Sequence, residues 1–478
     1  MPIRVYDSLT RQEHDFEPLV PGHVSMYVCG MTVQDRPHIG HFLPFLSAEI
    51  IRRWLEFREF EVTHVQNFTD IDDKIIARAN EEGISAHEVA ERNIKQLYRI
   101  IDAMNMLRAT HYPKATEHIP EIIALIESLI QRDYAYAADN GDAYFRVRRL
   151  EGYGKLSGRN VDDMMSGARI EVGEQKDDPL DFALWKAAKP GEPQWESPWG
   201  PGRPGWHIEC SAMAMKYLGE TLDMHGGGRD LLFPHHENEL AQSEAATGKP
   251  YVRFWMHNGL LTTGGQKMSK SLGNFFLMED LMQEFSADEL RFFLLSTHFR
   301  SQAEYSEERL RESQAAFARI REGAGRLREG MGIAGEVTPI ISAEGQELRE
   351  AAKRLRQEFC DAMDHDFNSA AALGKSFELV RLINRFVDQL QAGRDRSVLD
   401  EAQETLQWMM QILGFFPAGL PQAEAASGAP AEVEDLARQR LEARAARNFQ
   451  ESDALRDQIA VLGWVVEDKP DGYRLKRK

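Results

Sequence analysis

The chain is poor in cysteine, has no long apolar segment and carries no excess of positive charge. Three of its 478 residues are cysteine, too few for the disulfide framework of a small secreted domain. No run of about 18 apolar residues is present, and the first residues form no apolar signal core. We therefore expect a cytoplasmic protein that does not contact membranes. At about 150 residues per domain, the length predicts about three domains.

The net charge of −19 argues against a nucleic-acid partner, because binding to phosphates requires local positive potential. The charge is unevenly distributed, however. Residues 431–478 contain ten Lys or Arg and ten Asp or Glu residues, so the rest of the chain carries the whole deficit. Within this balanced segment, Arg440, Arg444 and Arg447 have helical spacing and are predicted to share one face. Such a face is either simply solvated or part of an RNA-binding surface.

Two cysteines far apart in the chain stand out because other residues with metal-ligand chemistry accompany them. Cys29 and Cys210 are followed by His235 and Glu239, which are four residues apart and would leave one face of a helix together. Two thiolates, an imidazole and a carboxylate are ligands that zinc accepts, with Zn–S distances of about 2.3 Å. The alternative is a pair of buried free cysteines near a solvated helix. The spacing alone leaves both interpretations open.

A pair of histidines, His38 and His41, lies between a predicted strand over 24–28 and a predicted helix over 42–58. Free N–H groups and the positive end of the helix dipole at such a junction favour a bound phosphate. The imidazoles would donate hydrogen bonds to it, and Gly40 would let an adenine approach the backbone. Histidines in this position are otherwise helix caps or surface residues.

A short basic loop follows later in the chain. Lys267 and Lys270 are three residues apart around Ser269, and the loop has glycines on both sides. The glycines predict a mobile loop, and two ammonium groups at this spacing suit polyphosphate oxygens. In isolation, a loop of this kind is usually only solvated.

Taken together, residues 38–41 and 267–271 resemble the two signatures of class I aminoacyl-tRNA synthetases. The cysteines and their surroundings narrow the resemblance to the cysteinyl-tRNA synthetase family, and it extends over nearly the whole chain. Met31, Gln34 and Leu43 depart from that family, which usually shows Pro, Tyr and Arg there. The other segments that carry the resemblance are Cys29 and residues 67–74, 116–119, 180–186, 204–213, 225–228, 233–239 and 366–368.

The resemblance implies an α/β Rossmann-type catalytic domain with a parallel sheet and an insertion, followed by an α-helical bundle and a small mixed α/β C-terminal domain. The apolar periodicities of the sequence agree with this architecture. They predict a β-α-β unit over 24–68, a helix near 119–132, a strand near 143–147, a bundle of long helical segments over 286–330 and 344–413, and two helices with a hairpin in 431–478. The predicted parts are 1–115 and 205–262 for the halves of the catalytic domain, 116–204 for the inserted segment, 263–330 for the basic loop and stem-contact helices, 331–416 for a tRNA-binding bundle, 417–430 for a linker and 431–478 for an anticodon-binding module.

The resemblance also implies an activity. A monomer would activate L-cysteine with ATP and Mg²⁺, release pyrophosphate and transfer cysteine to the terminal adenosine of tRNA(Cys), using one zinc ion per chain to select the substrate thiolate. The implied catalytic residues are His38, His41, Lys267 and Lys270, which also bind ATP together with Gly40, His225, Gly226, Gly227 and Ser269. The residues implied to bind the amino acid are Thr69, Trp206 and His225. The implied metal ligands are Cys29, Cys210, His235 and Glu239.

Three other functions remain open from the sequence. A ligase that joins cysteine to a small amine could share the metal site and both signatures, but it would have no use for residues 344–478. A non-catalytic RNA-binding paralogue should have lost some of the metal ligands or loop lysines. A zinc hydrolase needs a general base beside the metal, for which His236 or Glu237 could serve.

Overall fold

The computed structural model describes residues 2–161, 175–267, 275–336, 339–420, 430–469 and 472–477. The chain divides into two compact units, Met1–Gly419 and Leu420–Lys478. Within the described ranges, no helix is both long and apolar enough to cross a membrane.

The strands of the first unit are, in chain order, β1 (Arg4–Asp7), β2 (Gln12–Asp15), β3 (His23–Val28), β4 (Glu61–Gln66), β5 (Ala135–Ala137), β6 (Ala143–Phe145), β7 (Phe182–Ala187), β8 (Gly202–Pro204), β9 (Leu222–Gly228), β10 (Val252–Asn258), β11 (Leu261–Thr263), β12 (Gln266–Lys267) and β13 (Ala303–Glu304). Its helices are α1 (Ile39–Phe57), α2 (Asp73–Glu82), α3 (Ala86–Ala103), α4 (Ile119–Gln131), α5 (Trp206–Leu218), α6 (Glu237–Thr247), α7 (Met278–Glu284), α8 (Ala287–Leu295), α9 (Glu307–Ala334), α10 (Ala343–Asp364), α11 (Ser369–Val387) and α12 (Arg396–Ile412).

A sheet of four parallel strands, in the order β10-β9-β3-β4, forms the centre of this unit. Helix α1 connects β3 to β4, and α6 lies between β9 and β10, as a parallel sheet requires. The β-α-β unit predicted from the sequence is confirmed. The helix begins at Ile39, three residues before its predicted start, because His38 already occupies the N-cap position.

The segment between β4 and β9 contains a second sheet, the antiparallel β5-β6-β7-β8. The predicted helix near 119–132 and the predicted strand near 143–147 are confirmed as α4 and β6. Trp185 of β7 and Ile126 of α4 are completely buried in one apolar cluster that also includes Ile208 of α5. This second sheet therefore has its own core, which continues into the helix that begins beside the candidate site.

A hairpin precedes the basic loop. Strands β11 and β12 pair antiparallel, with Thr263 opposite Gln266, and both Gly264 and Gly265 have positive φ angles of 58° and 72°. A two-residue hairpin turn with positive φ at both positions requires such glycines. These two glycines thus form a tight turn, where the sequence predicts the start of a mobile loop.

The predicted helical bundle is confirmed as α9 to α12. A buried guanidinium joins it to the central sheet's first helix. Arg291 of α8 binds the carboxylate of Glu49 on α1 and donates to the carbonyl of Leu413, just after α12, at 2.7 Å. The same group donates to the Met104 carbonyl at 2.9 Å. Because Arg291 is completely buried, these acceptors satisfy a charge that could not otherwise be accommodated.

The second unit contains the predicted pair of helices and a hairpin: α13 (Ala431–Ala445), α14 (Phe449–Val461), β14 (Trp464–Lys469) and β15 (Gly472–Arg477). The prediction of one exposed arginine face is wrong. Arg440 is buried and makes a two-pronged ion pair with Asp468 of β14, at 2.6 and 3.1 Å, and Arg444 binds the same carboxylate. Helix α13 ends at Ala445, so Arg447 lies outside it.

Candidate functional site

A cleft of about 890 Å³ opens at the carboxyl ends of the four parallel strands. A residue that follows each strand lines it: Cys29 after β3, Asn67 after β4, Asp230 after β9 and Gly259 after β10. The carboxyl ends of the strands are where open parallel sheets bind their ligands. The cleft is therefore the candidate active site.

Four elements bring the predicted metal ligands together at one end of this cleft. Cys29 directly follows β3, and its N–H donates to the Gly226 carbonyl of β9 at 3.1 Å. Cys210 belongs to α5, His235 to the short helical segment Leu232–His236, and Glu239 to the first turn of α6. All four side chains are buried. We call Cys29, Cys210, His235 and Glu239 the donor cluster.

The spacing of the donor cluster fits a tetrahedral ion. The two sulfur atoms are 3.9 Å apart. This agrees with the separation of about 3.8 Å that two sulfurs bound tetrahedrally at about 2.3 Å from zinc would have. Glu239 Oε1 lies 3.3 Å from the Cys29 sulfur and 2.9 Å from His235 Nε2. All four ligand atoms lie within 4.8 Å of one another. Both the chemistry of the donors and their distances therefore suit zinc.

The protonation of the donor cluster also suits a cation. The hydrogen bond from Cys29 lowers the pKa of the Cys210 thiol to about 6. Although burial opposes ionisation, His225 and His235 hold the pKa of Glu239 well below its usual value. Burial and the neighbouring anions raise the pKa of the Cys29 thiol, and, against the effect of burial, Glu239 and Cys210 raise that of His235 to about 10. The cluster thus retains protons that a bound cation would replace.

Side chains around the donor cluster fix the orientation of its members. His207 Nδ1 lies 2.9 Å from His235 Nδ1, which leaves His235 Nε2 facing Glu239. The ring of Trp206 stacks on His235 with centroids 4.3 Å apart, and Trp206 lines the cleft. His207 was not predicted as a site residue. It directly follows Trp206, and nothing in its spacing separates it from an ordinary helix residue.

His225 stands behind the donor cluster. It is completely buried, its Nε2 is 2.9 Å from Glu239 Oε2, and it stacks on Trp255 at 4.6 Å. A second group, Cys29, His225, His236 and Glu239, also lies within 4.8 Å, but it contains only one thiolate and suits zinc less well.

The glycine run after His225 contacts both the core and the cleft. A Cβ atom at Gly227 would lie 2.7 Å from the His236 ring, so packing on His236 requires glycine there. Gly228, at the end of β9, lines the cleft. The nucleotide contacts predicted for His225, Gly226 and Gly227 stay predictions.

His236 and Glu237 are the two candidate general bases of the hydrolase hypothesis. The Glu237 carboxylate instead accepts from the N–H groups of Gly154 at 3.0 Å and Ser157 at 2.7 Å. His236 Nδ1 lies 2.8 Å from His257 Nε2. Because the Glu237 carboxylate binds the backbone of the loop at 154–157, it is not placed to act as a general base, which disfavours the hydrolase hypothesis.

The predicted phosphate-binding histidines lie in the wall of the cleft. His38 caps α1 and His41 lies in its first turn, with ring centroids 3.6 Å apart, and the His38 N–H donates to His41 Nδ1 at 3.3 Å. Gly40 lies between them and also lines the cleft. Of the positions that depart from the family pattern, Met31 and Gln34 line the cleft, whereas Leu43 is buried.

The remaining predicted site residues lie in different parts of the first unit. Thr69 is buried and lines the cleft near Asn67. Lys267 is the last residue of β12, where its backbone pairs with Thr262. Ser269 and Lys270 lie outside the described residues.

Three family descriptions match successive parts of the chain. Residues 15–315 match the class I (C) tRNA synthetase catalytic domain. Residues 358–417 match the DALR domain. Residues 426–474 match the cysteinyl-tRNA ligase anticodon binding domain.

Relatives match over their full length. The chain is 49% identical to a cysteine–tRNA ligase of Geobacter metallireducens, with all of both proteins covered. It is 49% identical to the corresponding enzyme of Nitratidesulfovibrio vulgaris, covering 98% of this chain and 99% of the relative.

Solved structures show the same fold at low identity. A methionyl-tRNA synthetase of Mycobacterium tuberculosis in complex with methionyl-adenylate superposes with a TM-score of 0.62 at 15% identity, covering 82% of this chain and 91% of that one. A leucyl-tRNA synthetase of Agrobacterium radiobacter gives 0.59 at 11% identity, covering 86% and 88%. The catalytic-domain match and the full-length relatives together show that the chain belongs to the cysteine–tRNA ligase family of ATP-dependent class I aminoacyl-tRNA synthetases.

Proposed function

We propose that the protein activates L-cysteine with ATP and transfers it to the terminal adenosine of tRNA(Cys), and that the donor cluster holds one zinc ion that selects the substrate thiol. The observation that carries this proposal is the convergence of two thiols, an imidazole and a carboxylate at the end of a cleft whose walls include the signature histidines. The 49% sequence identity to a cysteine–tRNA ligase also supports this proposal.

The substrate thiol is the feature that distinguishes cysteine from serine. A pocket built on shape alone discriminates by only about 10²-fold, whereas protein synthesis needs about 10⁴ to 10⁵, or roughly 5.5 to 7 kcal/mol. When bound, zinc supplies a borderline-soft Lewis acid that takes a thiolate far better than an alcohol. Trp206, stacked on His235, forms the adjoining wall against which the amino acid packs.

The signature residues act on the phosphates of ATP. His38 and His41 donate hydrogen bonds from one wall, and Lys267 and Lys270 supply positive charge from the loop, with Mg²⁺ accompanying the nucleotide. The substrate carboxylate attacks the α-phosphorus, and pyrophosphate leaves. Gly40 gives the nucleotide access to the backbone at the start of α1. Little covalent work by protein side chains is required.

The remaining parts of the chain serve the tRNA. We propose that the bundle formed by α9 to α12 contacts the body of the tRNA, and that the second unit contacts the anticodon. The DALR match over residues 358–417 and the anticodon-binding match over residues 426–474 support this division. Both disfavour the small-amine ligase, which would have no use for them.

The test is cysteine-dependent exchange of pyrophosphate with ATP, followed by charging of tRNA(Cys). We expect exchange with cysteine in the absence of tRNA and no measurable exchange with serine. Protein stripped of metal by a chelator should lose the exchange, and added zinc should restore it. A zinc-loaded protein that exchanges equally with serine would contradict zinc selection. Ligation of cysteine to a small amine, without charging of tRNA, would contradict the tRNA assignment.

A further inference from the structure

One wall of the cleft is a face of α2, which lies outside the two signatures at residues 38–41 and 267–271. Lys74, Ala77, Arg78 and Glu81 of α2 line the cleft. Their spacing of three, four and seven residues places them on one helix face. The cleft therefore extends from the donor cluster, past the signature histidines, to a charged helical wall.

The two cations of this wall differ in their partners. The guanidinium of Arg78 is committed to carboxylates: it binds Asp35 at 2.9 Å, Glu81 at 3.3 Å and Glu82 at 3.1 Å. Lys74 is exposed, and its ammonium group has no hydrogen bond or ion pair with any of the described residues. Its positive charge is thus available to a ligand in the cleft.

The two carboxylates that precede Lys74 in the chain bind other groups. Asp72 caps α2 by accepting from the Lys74 N–H at 2.9 Å. Asp73 binds Lys186 of β7 at 2.9 Å and the buried Arg203 of β8. These pairs fasten the start of α2 to the inserted sheet. The position of Lys74 in the wall is therefore fixed, while its charge is left unmatched.

We propose that Lys74 binds a phosphodiester of the tRNA 3′ end as that end enters the cleft for the transfer step. This inference rests on the proposed function. In the proposed function the adenylate forms inside the cleft, so the terminal adenosine must enter the cleft and carry its 5′ phosphodiester in with it. A lysine supplies a compact positive charge for a phosphate without reading a base. The proposed function assigns the signature histidines and loop lysines to the phosphates of ATP, so this wall is left for the second substrate.

The test compares Lys74→Gln with Lys74→Arg, which keeps the charge, and with Lys95→Gln as a matched control. Lys95 is an exposed lysine of α3 that does not line the cleft. We expect Lys74→Gln to raise the KM for tRNA(Cys) about 5- to 20-fold. Pyrophosphate exchange without tRNA should stay within about twofold of the unaltered protein, a difference no larger than ordinary surface substitutions produce.

Salt dependence gives a readout that a merely structural role would not change. Loss of one phosphate contact with a single strand should lower the slope of log affinity for tRNA against log salt concentration by about 0.7. Lys74→Arg should restore both the slope and the KM, and Lys95→Gln should change neither.

Two outcomes would overturn the inference. If Lys74→Gln lowers pyrophosphate exchange as much as charging, the lysine serves ATP. If the salt slope and the KM for tRNA both match those of Lys95→Gln, the wall has no phosphate ligand. Failure of the proposed function is a separate result, because it would appear as absent cysteine-dependent exchange in the unaltered protein.

Discussion

The donor cluster and the arginine pair of the second unit, Arg440 and Arg444, both bring ionisable groups together. They differ in whether each charge has an opposite charge beside it. Arg440 and Arg444 share the carboxylate of Asp468, so their charge is satisfied within the unit. In the donor cluster, two cysteine sulfurs, a carboxylate and an imidazole face one another, and the raised pKa values of Cys29 and His235 leave protons on these two groups that a cation would replace. Charged residues at helical spacing can therefore be structural, whereas ligands that converge on a common point in a cleft indicate a site.

The largest effect should follow from removing a sulfur from the donor cluster. Cys210→Ser should lose nearly all bound zinc and lower kcat/KM for cysteine in pyrophosphate exchange by about 10³-fold, because selection of the thiol is lost. Cys360→Ser is the matched control, since Cys360 is a half-buried thiol of α10 outside the cluster. Metal analysis and exchange kinetics measure both variants. Full zinc occupancy in Cys210→Ser would contradict the assignment of Cys210 as a zinc ligand.

The next largest effect should come from removing most of the second unit, which should affect tRNA charging but not pyrophosphate exchange. Removal of residues 431–478 should lower tRNA charging by about 30-fold or more, because the contacts at the anticodon end are lost. Exchange without tRNA should stay within about twofold, since the cleft lies entirely in the first unit. Equal charging by the shortened and the full chain, over a range of salt concentrations, would assign the second unit another purpose.

A smaller effect should come from a residue that orients a ligand without binding the metal. His207→Ala removes the partner of His235 Nδ1 and should weaken zinc affinity about 10-fold or more. Competition with a chelator measures it. His111→Ala is a control, because His111 packs against Tyr217, with ring centroids 4.8 Å apart, and is not a member of the cluster. Unchanged zinc affinity in His207→Ala would show that other contacts hold His235.

The smallest effect should test the structural role of the arginine pair. The hydrogen bond from Arg440 lowers the pKa of Asp468. Because the folded pKa lies below the unfolded value, this stabilisation is present above about pH 4 and is lost as the pH falls through the folded pKa. Asp468→Asn should cost roughly 1 kcal/mol of the unfolding free energy of the second unit near pH 7, since Asp468 is partly exposed.

Denaturation of the second unit at pH 7 and below pH 4 measures this difference. Asp453→Asn, at an exposed pair with Arg456, should change the unfolding free energy by less than about 0.5 kcal/mol. If Asp468→Asn is no less stable than Asp453→Asn at pH 7, the buried arginine finds other partners.

The sequence predicted a large share of the fold because local patterns specify individual elements. The apolar run of β3, the periodicity of α1 and the β-formers of β4 predicted a β-α-β unit, with an error of three residues at the start of α1. The residue types and spacing of the donor cluster left a metal site and a pair of buried free cysteines both open, and only the resemblance to cysteinyl-tRNA synthetases favoured the metal site. His207 could not be predicted, since its partner is 28 residues away and no periodicity relates the two.

By itself, the sequence determined the family, the order of the elements and the types of ligand available to a metal, because each of these depends on residue identity and local spacing. Only the tertiary structure decided which charges are matched. Arg440 and Lys74 are both basic residues on helices, but one is buried against Asp468 and the other is exposed in the wall of a cleft. The difference comes from how distant elements pack, and the electrostatic free energy of a charge depends on the neighbours and the water that packing gives it.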